Sequence, residues 1–334
     1  MTKNIIITGG AGFIGYHLSE KLLKKNFKII IIDNLSRGKY DNDLKKLLKN
    51  KNIKFIRFDL TKKLKINIQN PDYIFHLAGS VGVENIYKNA FNSLSNNILT
   101  LKNIIDYNNN LKKKAKLIIF STSEVYSPLI KKKRVKFPIK EDNEIIIENE
   151  IIERDAYYIS KIFNEKLAQF SNADYLILRP HNIYGPRMGY SHVIPELITK
   201  MIYEKKKLTN NTLVLSPTHK RAFCFIDDAI KQIIKLSLSK KINNSVYNIG
   251  NMREEISMLD LAMKIKKLFF LESKLKKGSF TKGSPERRVP DMNKTEKTIK
   301  VFKYINLQEG LKITLNWYLL NFKKNLKIPI NQKL

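Results

Sequence analysis

The chain has a single cysteine, Cys224, so no internal disulfide can form, and this usage fits a reducing compartment. Its five histidines are scattered without metal-ligand spacing, so no metal site is expected. No apolar run is long enough to span a bilayer. Met1 leads almost directly into a candidate strand, which argues against a signal peptide. Together these absences predict a soluble cytoplasmic protein. Acidic residues are scarce: 30 Asp and Glu stand against 62 Lys and Arg, a formal charge of +32. That imbalance raises nucleic-acid binding as a reading. Yet the basic runs Lys112–Lys114, Lys131–Arg134 and Lys205–Lys207 carry no interleaved aromatics for base stacking. A solvated basic surface that steers an anionic substrate inward accounts for the charge, and no nucleic-acid partner is expected. Internal repeats and low-complexity linkers are missing as well. The 334 residues can therefore fold as one large domain or two lobes around a full core.

What is present begins at Asn4–Gly15. An apolar β-branched run, Ile5–Ile7, opens onto a turn with Gly9, Gly12 and Gly15; after it Phe13, Ile14, His17, Leu18, Lys21 and Leu22 fall at helical spacing. Strand, glycine turn and helix make a dinucleotide-binding opening. Gly9 permits the tight turn, Gly12 lets the backbone approach a pyrophosphate, and Gly15 lets the helix pack close on the strand. The helix N-terminus offers unpaired N–H groups and a positive dipole end to the phosphates. Alone the pattern is weak, because chance also clusters glycines in βα turns. A second strand, Lys28–Ile32, ends in Asp33, at roughly the 20-residue offset of a ribose-binding carboxylate. A 2′-hydroxyl can donate to it, whereas a 2′-phosphate would be repelled. The reading is NAD rather than NADP, with Arg37 close enough in sequence to bear on the choice.

Strands and helices then alternate. A helix around Asp41–Asn50 precedes a strand at Ile53–Phe58 closed by Asp59-Leu60, and the strand Tyr73–Leu77 runs into Ala78-Gly79. A long amphipathic helix covers Ala90–Tyr107, and Lys116–Phe120 is a short apolar run of the kind buried on both faces. The alternation predicts a doubly wound parallel sheet with right-handed crossovers. Ser127–Arg154 lacks periodicity and reads as a loosely held surface excursion. Helix resumes at Ala156–Phe170 and strand at Tyr175–Leu178. Beyond Tyr184 come a helix near Val193–Glu204, strands at Thr212–Leu215 and Arg221–Ile226, and helices at Asp228–Leu238, Ser257–Leu271 and Leu307–Phe322. We expect residues 1–180 to form a nucleotide-binding domain, to which later strands can return, and 181–334 a smaller substrate-binding lobe.

Two constellations carry chemistry. Tyr157 and Lys161 stand one helical turn apart and share a face. An ammonium beside a phenol favours the phenolate, which lowers its pKa and makes tyrosine a usable base. Tyr-x-x-x-Lys alone is common on solvated helix faces, and only the glycine turn upstream lifts it above chance. Directly after the buried strand lies Ser121-Thr122-Ser123-Glu124-Val125-Tyr126, at a strand carboxyl end where ligands bind in open α/β sheets. A Ser/Thr turn or helix cap would explain Ser121 but not Glu124.

Together these residues resemble the extended short-chain dehydrogenase/reductases that modify nucleotide-diphosphate sugars. The resemblance runs from Thr8–Gly15 through Asp33-Asn34-Leu35-Ser36, Asp59-Leu60, His76-Leu77-Ala78-Gly79, Asn97 and Thr122-Ser123-Glu124 to Tyr157 and Lys161. It continues through Arg179–Pro186, Arg221-Ala222-Phe223, Tyr247–Asn251 and Arg288-Val289-Pro290-Asp291. It implies a Rossmann α/β fold with a smaller C-terminal substrate-binding lobe and NAD as cofactor. Gly9, Gly12, Phe13, Ile14, Gly15, Asp33, Asn34, Leu77 and Ala78 would hold the cofactor, with Asp59 and Leu60 at the adenine and Asn97 bracing its side of the site. Tyr157 would take the proton of the sugar C4 hydroxyl, Thr122 would bond that hydroxyl, and Lys161 would hold the ribose and tune the tyrosine. Val81 and Gly82 would meet the substrate, and Asn182, Arg221 and Arg288 would face its diphosphate or sugar, with Arg287 a competitor for the last role. The family also implies a homodimer through the helices Ala90–Tyr107 and Ala156–Phe170.

A 4-keto sugar can be epimerised, dehydrated, decarboxylated or released, and the fold does not choose. Thr-Ser-Glu-Val-Tyr resembles UDP-glucuronate decarboxylases, in which the glutamate lies beside C5 and an arginine matching Arg221 lies near the carboxylate end, so Ser123 and Glu124 tilt the reading toward hexuronate decarboxylation of a UDP-sugar. The 4-epimerase reading stands close behind, because the residues around Tyr157 look like the epimerase group and Ser127-Pro128 departs from the usual Gly. A 4,6-dehydratase and a C4-dehydrogenase follow. A non-catalytic NAD-binding sensor would have no need of Thr122, Tyr157 and Lys161.

Overall fold

The computed structural model describes residues 3–65, 70–206, 211–271, 274–300 and 303–322. Met1 and Lys207, invoked above, lie outside them. Six strands of the first half are β1 (Asn4–Thr8), β2 (Lys28–Asp33), β3 (Ile53–Arg57), β4 (Tyr73–His76), β5 (Lys116–Phe120) and β6 (Tyr175–Pro180). With Ser245–Ile249 they form one seven-stranded parallel sheet, in the order Ser245–Ile249, β6, β5, β4, β1, β2, β3. The edge strand next to β6 is thus contributed from beyond residue 180.

Successive strand residues point to opposite faces, so the isoleucine-rich strands are apolar on both. Ile6, Ile74, Leu117 and Ile119 pack with Leu101 and Ile104 of the helix Ala90–Asn109. Ile5, Ile7, Ile29, Ile118 and Leu176 face the other way, toward Leu18 and Leu22 of Phe13–Leu23 and Ile230 and Ile233 of Ile226–Ser237. The doubly wound Rossmann sheet expected from the alternation is what forms. Its order turns back at β1, between β4 and β2, and opens a crevice at the strand carboxyl ends there. The smaller C-terminal lobe is built from the helices Val193–Lys205, Met258–Phe269 and Leu307–Phe322 and short strands.

Two expectations need correction. Arg221–Ile226 is not one strand: Lys220–Ala222 pairs with Glu255–Ser257 and Arg287–Arg288, while Cys224–Phe225 pairs with Ile183–Tyr184. The chain passes between two small sheets at the buried Phe223. Ser127–Arg154 is not loosely held either. It starts as a short helix, Ser127–Lys131, and is then pinned at Ile139, whose N–H donates to Val289 O (2.8 Å) and whose carbonyl accepts from Asp291 N (2.7 Å). Glu141 accepts from Asn248 N, and Ile139 packs with Tyr126, Tyr158 and Ile162. Single anchors leave no period to detect.

Candidate active site

Every site residue named from the sequence except Arg287 lines one cleft of about 950 Å³, over the carboxyl ends of the central strands. Its cofactor end is shaped by the glycine turn. Gly9 has φ +67°, and a Cβ there would stand 2.8 Å from Ala78 N; at Gly15 it would stand 2.5 Å from Gly9 O. Neither position admits a side chain. Gly12 caps the helix Phe13–Leu23 with no side-chain acceptor and no acidic residue in the first turn, so the leading N–H groups face the cleft. Asp33 is oriented by Ala11 N (3.0 Å) and Leu35 N (2.8 Å). A bare helix N-terminus beside an oriented carboxylate is the donor and acceptor set that NAD requires: phosphates at one, a ribose diol at the other.

Asn34 accepts from Ser36 N and Asp59 from Thr61, both at the adenosine end of the cleft, and Leu60 is buried with its carbonyl bonded by Asn103. Asn97 is fully buried; it accepts from Ser80 N (2.5 Å) and donates to Ser160 Oγ (3.0 Å), bracing the loop that carries Leu77, Ala78, Val81 and Gly82. Arg187 is a site residue whose role no local spacing reveals. It donates to Ala11 O, Gly12 O and Lys39 O and pairs with Asp41, tying the C-terminal half to the glycine turn. Arg37, in contrast, does not pair with Asp33; its guanidinium donates to Val81 O on the far bank of the crevice.

Tyr157 and Lys161 share a helix face as expected, but the electrostatics differ from the expectation. Lys161 Nζ lies 5.9 Å from the Tyr157 ring centre and donates to Phe120 O (2.9 Å). Burial pushes Tyr157 up to about 12, opposed by a hydrogen bond with Thr122 and by the charge of Arg37, with Glu124 acting against deprotonation. Burial also lowers Lys161 to about 8. The spacing argument could not anticipate that a strand carbonyl would take the lysine's proton donor.

At the opposite end, Ser123–Tyr126 forms a single 3₁₀ turn capped by Thr122 Oγ1, which accepts from Glu124 N (3.2 Å). That turn leaves Ser123 buried and presents Glu124 to Arg288 (2.6 Å) and to Arg154 (3.4 Å). Despite its burial, the cations Arg288, Arg154 and Arg221 hold the carboxyl down at about 2. Arg288 Nε and Nη2 are buried with no hydrogen-bond partner among the described residues. Arg287 points outward to Glu255, so of the two neighbours Arg288 is the one in the cleft. Arg221 has no carboxylate at contact; it donates to Lys220 O, Glu286 O, Pro285 O and Ser284 Oγ, and burial and Arg288 lower it to about 9. Asn182, at φ +41°, donates to Ala222 O. Arg154 was missed: it sits three residues before Tyr157 in a stretch that read as surface.

Residues 5–250 match the family model described as the NAD dependent epimerase/dehydratase family. Over 336 residues the chain is 30% identical to the UDP-N-acetyl-alpha-D-glucosaminuronate decarboxylase of Bacillus cytotoxicus, covering 95% of this chain and 98% of that protein. It is 35% identical over 280 residues to the dTDP-D-glucose 4,6-dehydratase of Dictyostelium discoideum, covering 79% and 61% respectively. In three dimensions it matches the UDP-glucuronic acid 4-epimerase of Bacillus cereus, solved with UDP-glucuronic acid and NAD, with a TM-score of 0.81 at 26% identity over 95% of this chain and 99% of that one. The chain belongs to the NAD dependent epimerase/dehydratase family, the extended short-chain dehydrogenase/reductases that use NAD to modify nucleotide-diphosphate sugars.

Proposed function

We propose that the substrate is a nucleotide-diphosphate hexuronate, a UDP-sugar, and that transient oxidation at C4 leads to loss of its C6 carboxylate as carbon dioxide. One observation carries this reading. Three arginines surround Glu124, and Arg288 keeps two buried donors without a protein partner. Unfilled guanidinium donors in a buried site call for an anionic acceptor. The diphosphate common to all nucleotide sugars and the carboxylate of a hexuronate are the two acceptors a substrate offers, and we assign Arg288 to the carboxylate because Glu124 stands beside it. The relative named for a glucosaminuronate decarboxylase supports the same substrate class.

On this reading Tyr157 acts as its phenolate, which the Thr122 hydrogen bond and the charge of Arg37 favour against burial, and its Oη takes the C4 hydroxyl proton. Bound NAD supplies the hydride acceptor for C4 and the hydride that later returns. Asp33 holds the adenosine ribose, Asp59 and Leu60 meet the adenine, and Lys161 meets the nicotinamide ribose. Val81, Gly82, Asn182 and Arg221 face the nucleotide sugar. A C4 ketone makes the C6 carboxylate a β-keto acid. The C5–C6 bond then breaks, its electron pair passing into a C4–C5 enolate whose oxygen faces the Tyr157 phenol. Glu124, kept ionised, repels the leaving carboxylate, and departure of neutral carbon dioxide relieves that repulsion. So strongly ionised a carboxyl is a poor acid, so C5 takes its proton from water.

A second reading, 4-epimerisation of the same hexuronate, is favoured by Arg288 itself, because a guanidinium clamp on the carboxylate opposes its loss. Incubation with UDP-glucuronate and UDP-N-acetylglucosaminuronate in deuterated water, with mass and NMR analysis, tests both. Carbon dioxide loss with deuterium at C5 is expected. An inverted C4 at unchanged carbon count would support the epimerase, and inertness toward both sugars would overturn the hexuronate assignment.

We also propose a homodimer through Ala90–Asn109 and Asp155–Gln169, which pack on each other and leave Phe91 and Phe163 exposed. A sedimentation mass of one chain would refute it. Among the described residues no helix is long and apolar enough to cross a membrane.

A further inference from the structure

The sheet order sets up a question about the cofactor cleft. Because β1 lies between β4 and β2, the loops following β2 and β4 are the two banks of the crevice over the glycine turn. Arg37 belongs to the first bank and Val81 to the second, and Arg37 Nη1 donates to Val81 O across the gap. Its guanidinium also lies against two glycines. A Cβ at Gly82 would be 3.1 Å from Arg37 Nη1, and one at Gly189, on the C-terminal side of the cleft, 3.7 Å from Nη2. Gly82 has φ +100°, a conformation that favours glycine, so the second bank is shaped to receive the side chain. Three chain segments therefore meet at one arginine directly over the crevice.

We propose that Arg37 is a strap across the cofactor cleft that slows release of the bound dinucleotide. The inference rests on the cofactor, not on the choice of sugar. A cycle in which the sugar is oxidised and later reduced ends correctly only if the hydride stays on the enzyme between the two steps. A reduced dinucleotide lost midway would strand a keto sugar. A fork of fixed charge in the same cleft as the glycine turn suits this task, since it bonds the far bank and attracts an anionic dinucleotide. The same geometry removes Arg37 from competition at Asp33, whose oxygens each accept one backbone N–H and keep a lone pair for the ribose.

The test is the release rate of NADH from the full chain, followed by its fluorescence after mixing with excess NAD, without any sugar. Arg37→Ala is expected to release NADH about tenfold faster, the effect of losing one charge-assisted hydrogen bond. Arg37→Lys, which keeps the charge, should stay within about threefold of wild type. Arg37→Met, which keeps the aliphatic stem, should behave as the alanine variant does and separates the bridge from packing. Release from Arg37→Ala within twofold of wild type would overturn the strap and leave the hexuronate reading untouched. A wild type that takes up no NADH would overturn the cofactor assignment and the strap with it.

Discussion

Replacing Arg288 by Met separates a carboxylate-reading arginine from a diphosphate-reading one. Arg288 spends Nη1 on Glu124 at 2.6 Å and keeps Nε and Nη2 buried without partners. A hydrogen bond to a charged group is worth about 1.5–3 kcal/mol, so two of them give about 3 kcal/mol at the low end. At about 1.4 kcal/mol per tenfold, that is roughly a hundredfold in affinity. Calorimetric titration should therefore show UDP-glucuronate binding about a hundredfold more weakly to Arg288→Met, with UDP-glucose changed by less than about threefold. Equal weakening of both ligands would refute the argument, because both share the diphosphate and only one has the carboxylate. The same variant changes stability with a definite sign. Glu124 is held at about 2, below its ordinary 4.5, by Arg288 first among the cations. The stability from that depression is present above pH 4.5 and is lost as pH falls through 2. Without Arg288, burial pushes the carboxyl upward, so the deficit against wild type should be largest at neutral pH and should narrow from the variant's raised pKa down to about 2.

Tyr157→Phe should lower kcat by about 10²–10⁴ while NADH uptake stays near wild type, and near-normal turnover would remove the assigned base. Lys161 sits at about 8 rather than 10.5, so its folded state sheds a proton that the unfolded chain keeps. Urea midpoints of wild type should rise against Lys161→Met between pH 8 and 10.5; a constant gap would refute this. Glu165 accepts from Arg179 Nε (2.9 Å) and Nη2 (2.7 Å) in the core, and Glu165→Gln strands a buried charge. A loss of about 3–5 kcal/mol in urea unfolding is expected, and one below about 1 kcal/mol would show that the core readjusts.

The parts legible in the sequence are those set by short periods. The glycine turn, Asp33 and the strand–helix alternation each follow from local spacing, and a doubly wound parallel sheet follows from that alternation. Strand pleating would also have separated Arg287 from Arg288, had their strand been identified: one faces Glu255 and the other Glu124. Arg187 was illegible for a different reason. Its partners Ala11 and Gly12 lie 176 and 175 residues away, and one arginine carries little signal against 62 basic residues. Tyr157 and Lys161 show the limit of spacing most clearly. A helix turn brings two side chains to one face, but the lysine follows the nearest good acceptor, Phe120 O, which belongs to a strand.

The site sets two effects on the sugar carboxylate against each other, and Glu124 is the residue that tips them. Arg288 lowers the energy of a bound carboxylate, which by itself slows carbon dioxide loss, because the charge is stabilised before the transition state and not in it. Glu124 spends part of that positive charge and repels the carboxylate, raising the ground state of the keto acid. Glu124→Gln removes the repulsion and frees Arg288 Nη1. Binding of UDP-glucuronate should then tighten while its decarboxylation slows, each by about tenfold, and product analysis should show any inverted C4 epimer growing as a share of the total. That opposite movement of affinity and turnover distinguishes ground-state repulsion from a proton-transfer role, in which kcat would fall with affinity unchanged. Unaltered kcat in Glu124→Gln would mean that neither account holds and that the arginines alone govern the fate of the keto sugar.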